Sequence, residues 1–395
     1  MGLIFESEAF KQNPQAAATH VLLVACSDYP SLGAAGYGNK PPLGSPRQSA
    51  EKVANWLLSG PDGMAPAPGL PSTQAFNNPD APLGSVEFFA STGQAYVTPA
   101  GNEQKVTRPA IANLRDAYAR WLKRLGDNGS SCGIFYFCGH GVGDGADQVL
   151  IADDFGEDTD DAWNSTFHLS NTCQASIRKT KARMLFLVDA CMEFSADLLA
   201  QINPPKGLVG GKKNGTVLCT DWLVLRAATT NRLAYANPQG MTRFTTALLR
   251  ALGGHCGRQR PGGPLFDVTP SQLRDATSDF LAAAQQPGDA QWQKLGAPLG
   301  EGAWNLPVHV LTERPRVVVA LDVEPRGLRP VARAFMERDG VARDLKALKN
   351  GPVEFIVPWG EWTYGANAEG DAFAEKTCPN QWLAQALLTH SIPVA

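Results

Sequence analysis

Four short apolar runs, each closing in a turn, constrain this chain more than anything else in it. They are His20–Cys26 (HVLLVAC), Ile134–Gly141 (IFYFCGHG), Met184–Cys191 (MLFLVDAC) and Trp222–Ala228 (WLVLRAA). Runs this short, with little polar alternation, fit strands covered on both faces, as in parallel sheets. Between them lie segments with helical spacing. Gln48–Leu58 sets Ala50, Val53, Ala54, Leu57 and Leu58 on one face, and a second helix opens with Thr107 as N-cap and Pro109 in its first turn, running to Leu125. Further helices are expected at Asn171–Lys179, Arg243–Leu252 and Pro270–Ala284. This alternation predicts an α/β fold, a mostly parallel central sheet flanked by helices.

A chain of 395 residues exceeds one ordinary domain. Residues 1–312 carry the strand–helix alternation. The remainder, 313–395, reads differently: Arg316–Val323 and Val353–Val357 have strand character, and Val331–Leu348 has a helical pattern. A small β-rich accessory domain is expected there. Trp359, Trp362 and Tyr364 are expected to form its core rather than a binding face.

The net charge of −3 lacks the basic footprint of a nucleic-acid-binding protein. No apolar run approaches the ~18 residues of a membrane span. The N-terminus, MGLIFESEAFKQNPQ, has no basic region followed by an apolar stretch. A cytoplasmic protein with neither nucleic-acid nor membrane partners is therefore expected. The eight cysteines form no CxxC pair and no Cys/His quartet, so no structural zinc site is expected, and most should be reduced and buried.

Two of the four runs end in reactive side chains, His140 and Cys191. Functional groups in open α/β sheets gather outside the carboxyl ends of the strands. A cysteine attacks a carbonyl as thiolate, and a nearby imidazole raises the thiolate fraction and can protonate the leaving amine. The oxyanion that forms needs backbone N–H donors. Gly141, directly after His140, leaves room for such a donor, and the N–H of Cys191 can be a second. The alternation of an extended chain puts Asp189 on the same side as Cys191.

With its first strand HVLLVAC, YFCGHG around His140, DAC ending in Cys191, and VLRAAT followed by FTTALLRAL, the chain resembles the caspase-like cysteine peptidases: caspases, paracaspases, metacaspases and their bacterial relatives. The resemblance covers roughly residues 18–310. It implies a caspase-hemoglobinase fold and a Cys–His dyad, with His140 as general acid and base, Cys191 as nucleophile and Gly141 N–H in the oxyanion hole. In caspases the histidine lies about 50 residues before the cysteine; here the two stand at positions 140 and 191.

Aspartate-specific caspases carry Gln where this chain has Asp189, whereas metacaspases and paracaspases carry Asp and cut after Arg or Lys. A partly desolvated carboxylate pairs with guanidinium or ammonium and repels an acidic side chain, so cleavage after Arg or Lys is expected, with Arg favoured by its bidentate fork. Basic-specific relatives often supply a second acid from the helix after the first strand. That position is Ser49 here, and Asp28 is the candidate substitute.

The Gly/Lys-rich linker 203–220 offers Lys206, Lys212 and Lys213 for self-processing or for an activating protease. The acidic loop Asp153–Asp161 does not match an EF-hand. No cofactor is expected, although the resemblance to metacaspases leaves Ca²⁺ open. Protein substrates, and an activating protease or regulatory protein, are the expected partners. Two alternatives are a catalytically silent scaffold that binds partners through residues 313–395, and a Cys–His hydrolase acting on a non-peptide acyl substrate.

Overall fold

The structure is a computed structural model that describes residues 2–33, 36, 42–59, 75–91, 94–143, 147–195, 205–211, 216–230, 232–236, 240–285, 292–302, 306–370 and 372–394, excepting the side chains of Glu193 and Phe194. All four apolar runs become strands of one sheet. Its members in chain order are β1 (Leu3–Glu6), β2 (Thr19–Ala25), β3 (Leu83–Ala90), β4 (Cys132–Gly139), β5 (Arg183–Ala190), β6 (Trp222–Arg226) and β7 (Leu299–Glu301). The spatial order is β1-β3-β2-β4-β5-β6-β7. Strands β2 to β6 run parallel, and β1 and β7 close the two edges antiparallel.

Helices cover both faces, so alternate side chains of each central strand enter different cores. Val21, Leu23, Ile134, Tyr136, Leu185 and Leu187 pack beneath α1 (Ser45–Leu58), α4 (Arg243–Arg250) and α5 (Pro270–Ala283). Leu22, Val24, Phe135, Phe137, Phe186 and Val188 pack beneath α2 (Ile111–Leu125) and α3 (Leu169–Ser176). Every residue of β2 and β5 is buried. That explains why these strands read as continuous apolar runs.

The α2 helix begins at Ile111 with Ala110 at its N-cap, three residues later than its sequence suggests. Thr107 is spent on a bridge to Phe89, and the first helical N–H, that of Ile111, donates to the Asp154 carboxylate at 3.0 Å. A remote acid replaces the local cap that Thr107 would have supplied. None of the described helices is long and apolar enough to cross a membrane.

Residues 316–393 form two further sheets. Arg316–Glu324 lies between Val353–Pro358 and Leu387–Pro393, and Ala332–Arg338 lies in a four-stranded sheet with Val341–Ala347, Gly360–Ala368 and Lys376–Leu383. The segment expected to be helical, Val331–Leu348, is instead largely a β-hairpin. Asp339-Gly340 turns it, with Gly340 at φ +75°, and Ala332, Ala334 and Met336 alternate into the core. An Asp-Gly pair between alternating strands outweighs a loose helical count. Trp362 and Tyr364 are buried in this core, with Trp359 packed against it.

Candidate active site

The sheet register sets the geometry of the site. β4 and β5 pair in parallel from Cys132 opposite Arg183 to Gly139 opposite Ala190. The next residue on each strand is His140 and Cys191. Neighbouring strands lie about 4.8 Å apart, so the imidazole and thiol emerge from adjacent tips. Both residues are half-buried. The other cysteines of the peptidase region, Cys26, Cys132, Cys138, Cys173, Cys219 and Cys256, are buried.

Tyr29 orients His140. The His140 N–H donates to the Tyr29 hydroxyl at 2.8 Å, and the two rings stack tilted with centroids 4.8 Å apart. Tyr29 is itself buried, at the turn after β2. Beyond His140 the chain forms a short strand, Gly141–Gly143, paired antiparallel with Gln148–Ile151 and parallel with Glu193–Phe194. The carbonyl of His140 accepts from Ile151 N–H at 3.2 Å. In the trans peptide that joins His140 to Gly141, the Gly141 N–H points opposite the His140 carbonyl, so it faces the chain that follows Cys191.

Gly141 is needed for steric reasons. A Cβ there would lie 2.7 Å from the Cys191 carbonyl oxygen and 3.0 Å from the Ala190 Cβ. That carbonyl also accepts from the Gln148 side-chain amide at 2.8 Å. On the far side, the segment 232–236 lies against Cys191. Ala234 N–H donates to the Cys191 sulfur at 3.3 Å, and Met192 N–H donates to the Arg232 carbonyl at 3.1 Å.

Asp189 is 2 % exposed, at the base of this region. Its Oδ2 accepts from the hydroxyls of Thr242 and, at 2.6 Å, Thr245. Thr242 is the N-cap of α4, so the positive end of that helix also faces the carboxylate. The other oxygen, Oδ1, is buried without a hydrogen-bond partner of ordinary geometry. Burial pushes Asp189 up to about 6, and the threonine hydrogen bonds hold it from going higher.

Ser49 joins the same cluster, accepting from Thr242 N–H at 3.0 Å. The helix position expected to carry a second acid thus sits within one residue of Asp189, holding a hydroxyl. Asp28 is half-buried in the turn after β2 and is not among the hydrogen-bond partners of Asp189. Lys206 has an exposed side chain, but its carbonyl accepts from His168 N–H at 3.0 Å and Leu208 beside it is buried. Lys212 and Lys213 lie outside the described residues.

The first acids of the acidic loop are structural. Asp153, 1 % exposed, pairs with Arg108 at 3.0 Å, and Asp154 caps α2. Arg108 also reaches Glu157 at 2.7 Å. Sequence reasoning missed Tyr29, Gln148, Thr242 and Thr245. Only Tyr29 had a local signal, the SDYP turn at the end of the first strand.

A parallel sheet with histidine and cysteine at neighbouring strand tips, helices on both faces and antiparallel edge strands defines a caspase-type α/β unit. The chain belongs to the caspase domain family (peptidase C14), whose model matches residues 19–290. It is 48 % identical over 343 residues to the uncharacterized protein y4kE of Sinorhizobium fredii (strain NBRC 101917 / NGR234), across 87 % of this chain and 99 % of that one. It is also similar to the crystal structure of caspase-1 from Spodoptera frugiperda, at 11 % identity and a TM-score of 0.39, covering 72 % of this chain and 87 % of that one. Membership in the family implies a cysteine peptidase acting on protein substrates.

Proposed function

We propose that this chain is a cysteine endopeptidase that cleaves after Arg or Lys through a His140–Cys191 dyad. The observation that carries the reading is the register of β4 and β5, which sets these two residues side by side at the end of the sheet. The Cys191 thiolate attacks the scissile carbonyl, and the carbonyl electron pair moves onto oxygen. His140 then gives a proton to the leaving amine as the carbon–nitrogen bond breaks. Water hydrolyses the thioester with His140 as base. The N–H groups of Gly141 and Cys191 are the donors for the oxyanion.

The choice of a basic residue rests on Asp189. Its Oδ1 accepts no hydrogen bond of ordinary geometry, with only the weak Cys138 thiol donor and the Tyr136 hydroxyl beside the carboxylate, and an entering guanidinium or ammonium would supply a stronger, charged donor. With a value near 6, the carboxylate is mostly ionised at neutral pH. Ser49 stands in the same cluster where relatives place a second acid, so it adds a hydroxyl and no charge beside Asp189. In the linker, cleavage at Lys206 would first have to undo the bond at its carbonyl; Lys212 and Lys213 are the other processing candidates.

A fluorogenic peptide panel varying the residue before the scissile bond among Arg, Lys and Asp, with and without Ca²⁺, tests the reading against Cys191→Ala. Turnover after Arg and Lys that vanishes in Cys191→Ala is expected. Absence of turnover on every peptide would favour the scaffold reading, and cleavage after Asp would overturn the role of Asp189.

A further inference from the structure

Gln148 is the first residue of the short strand Gln148–Ile151 and is fully buried. Its side chain does not stay within its own sheet. The Nε2 group donates to two consecutive carbonyls on the other catalytic strand, Cys191 O at 2.8 Å and Ala190 O at 3.2 Å. Both partners are acceptors, so the group facing them is the NH₂ end of the amide. Its Oε1 is buried with no partner. A glutamine kept at that cost does something a leucine could not.

The two bonded carbonyls flank Cys191. In a trans peptide the N–H points opposite the C=O of the preceding residue. Holding the Ala190 carbonyl against Gln148 therefore aims the Cys191 N–H the other way, off the Gln148 side of the strand tip. Holding the Cys191 carbonyl aims the Met192 N–H likewise, and it meets the Arg232 carbonyl at 3.1 Å. Gly141 lets the arrangement close, since a side chain there would strike the Cys191 carbonyl at 2.7 Å and the Gln148 amide at 3.3 Å.

We propose that Gln148 is a positioning residue that fixes both peptide planes around Cys191 and so aims the Cys191 N–H at the oxyanion. This rests on the peptidase reading and adds to it a residue that contacts neither substrate nor sulfur. It requires Gln148 to act on the stabilised oxyanion and not on the nucleophilicity of the thiol.

The test separates those two effects in Gln148→Leu and Gln148→Glu, each folded by circular dichroism. A peptide aldehyde forms a sulfur–carbon bond with Cys191 and places negative charge on the former carbonyl oxygen, so its affinity reports the oxyanion site. Iodoacetamide alkylates the same sulfur by displacing iodide and needs no oxyanion donor. Both variants should lose about 100-fold in kcat, with KM within twofold of wild type and aldehyde affinity falling in parallel. The alkylation rate of Cys191 and its pH midpoint should stay as in wild type. Unchanged kcat, or alkylation slowed in step with kcat, would overturn the proposal. If the wild type cleaves no peptide, the peptidase reading fails by itself. The orientation of the two peptide planes in a crystal structure of Gln148→Leu then decides the matter, and planes left as they are here would overturn the role of Gln148.

Discussion

At the residue scale, Asp189 carries an unusual combination. It is buried, accepts two hydroxyl hydrogen bonds on one oxygen, has the Cys138 thiol and the Tyr136 hydroxyl beside it, and is pushed by burial from 3.8 up to about 6. Because the folded value is the higher one, the native state holds more protons than the unfolded chain between about pH 4 and 6. Stability is therefore greatest below pH 4 and declines as pH rises through 6, by roughly 3 kcal/mol in all from this group. Asn at 189 keeps an acceptor for Thr242 and Thr245 but cannot ionise. Asp189→Asn should thus gain on wild type by up to about 3 kcal/mol between pH 4 and pH 7, read from paired urea denaturations. Asp153, also raised, to about 7, is common to both proteins and cancels in the difference. A stability difference that is the same at both pH values would show that the buried carboxylate is not strained by its charge. The same variant should lose cleavage after Arg, so the site trades stability for recognition.

At the element scale, the segment 232–236 lies against the thiol of Cys191. Its Ala234 N–H donates to the sulfur, and its Arg232 carbonyl takes the next backbone N–H. Ala234→Pro deletes the donor, which has two separable effects. The thiolate loses a hydrogen bond, so the midpoint of alkylation should move up in pH. The sulfur becomes more accessible, so the alkylation rate on the high-pH plateau should rise several-fold. Measured with iodoacetamide in a Cys378→Ser background, which removes the other half-buried thiol, an unchanged plateau rate would mean that the segment does not cover the thiol. Such contacts mark the limit of what could be read beforehand. His140, Cys191 and Asp189 were legible because each belongs to an apolar run whose end is visible locally. The bond between Gln148 and Cys191 joins residues 43 positions apart, and that from Thr242 to Asp189 spans 53. No periodicity encodes either, because the sheet register that brings them together is a property of the whole fold. The hairpin at Ala332–Ala347 is a different case: the helical spacing of Val331–Leu348 is loose, and the Asp-Gly pair within it is a local turn signal that overrides it.

At the scale of the whole molecule, the C-terminal sheets and the peptidase unit share a core. Strand Arg316–Glu324 sends Val317, Val319, Leu321 and Val323 into the C-terminal core. Val318, on its other face, is fully buried in the layer beneath α4 and α5, together with Ala386. Polar ties cross at the same place: His255 Nδ1 meets the Arg316 carbonyl at 3.1 Å, and Arg250 pairs with Glu354 at 2.7 Å. The ion pair is partly exposed and contributes little. Exposing Val318 and its neighbours costs more, about 1.5–3 kcal/mol for a valine-sized side chain alone. The α4 helix also holds Thr242 and Thr245 against Asp189, so loosening its outer face reaches the buried carboxylate proposed to select the substrate. A chain ending at residue 312 should therefore melt lower than the full protein by about 5 °C or more, and bind a hydrophobic dye at temperatures where the full protein does not. Its cleavage of Arg peptides should weaken through KM more than through kcat, because the strand register that sets His140 beside Cys191 lies elsewhere in the sheet. A truncated chain with unaltered melting, dye binding and KM would mean that the C-terminal sheets sit on the peptidase unit without supporting it.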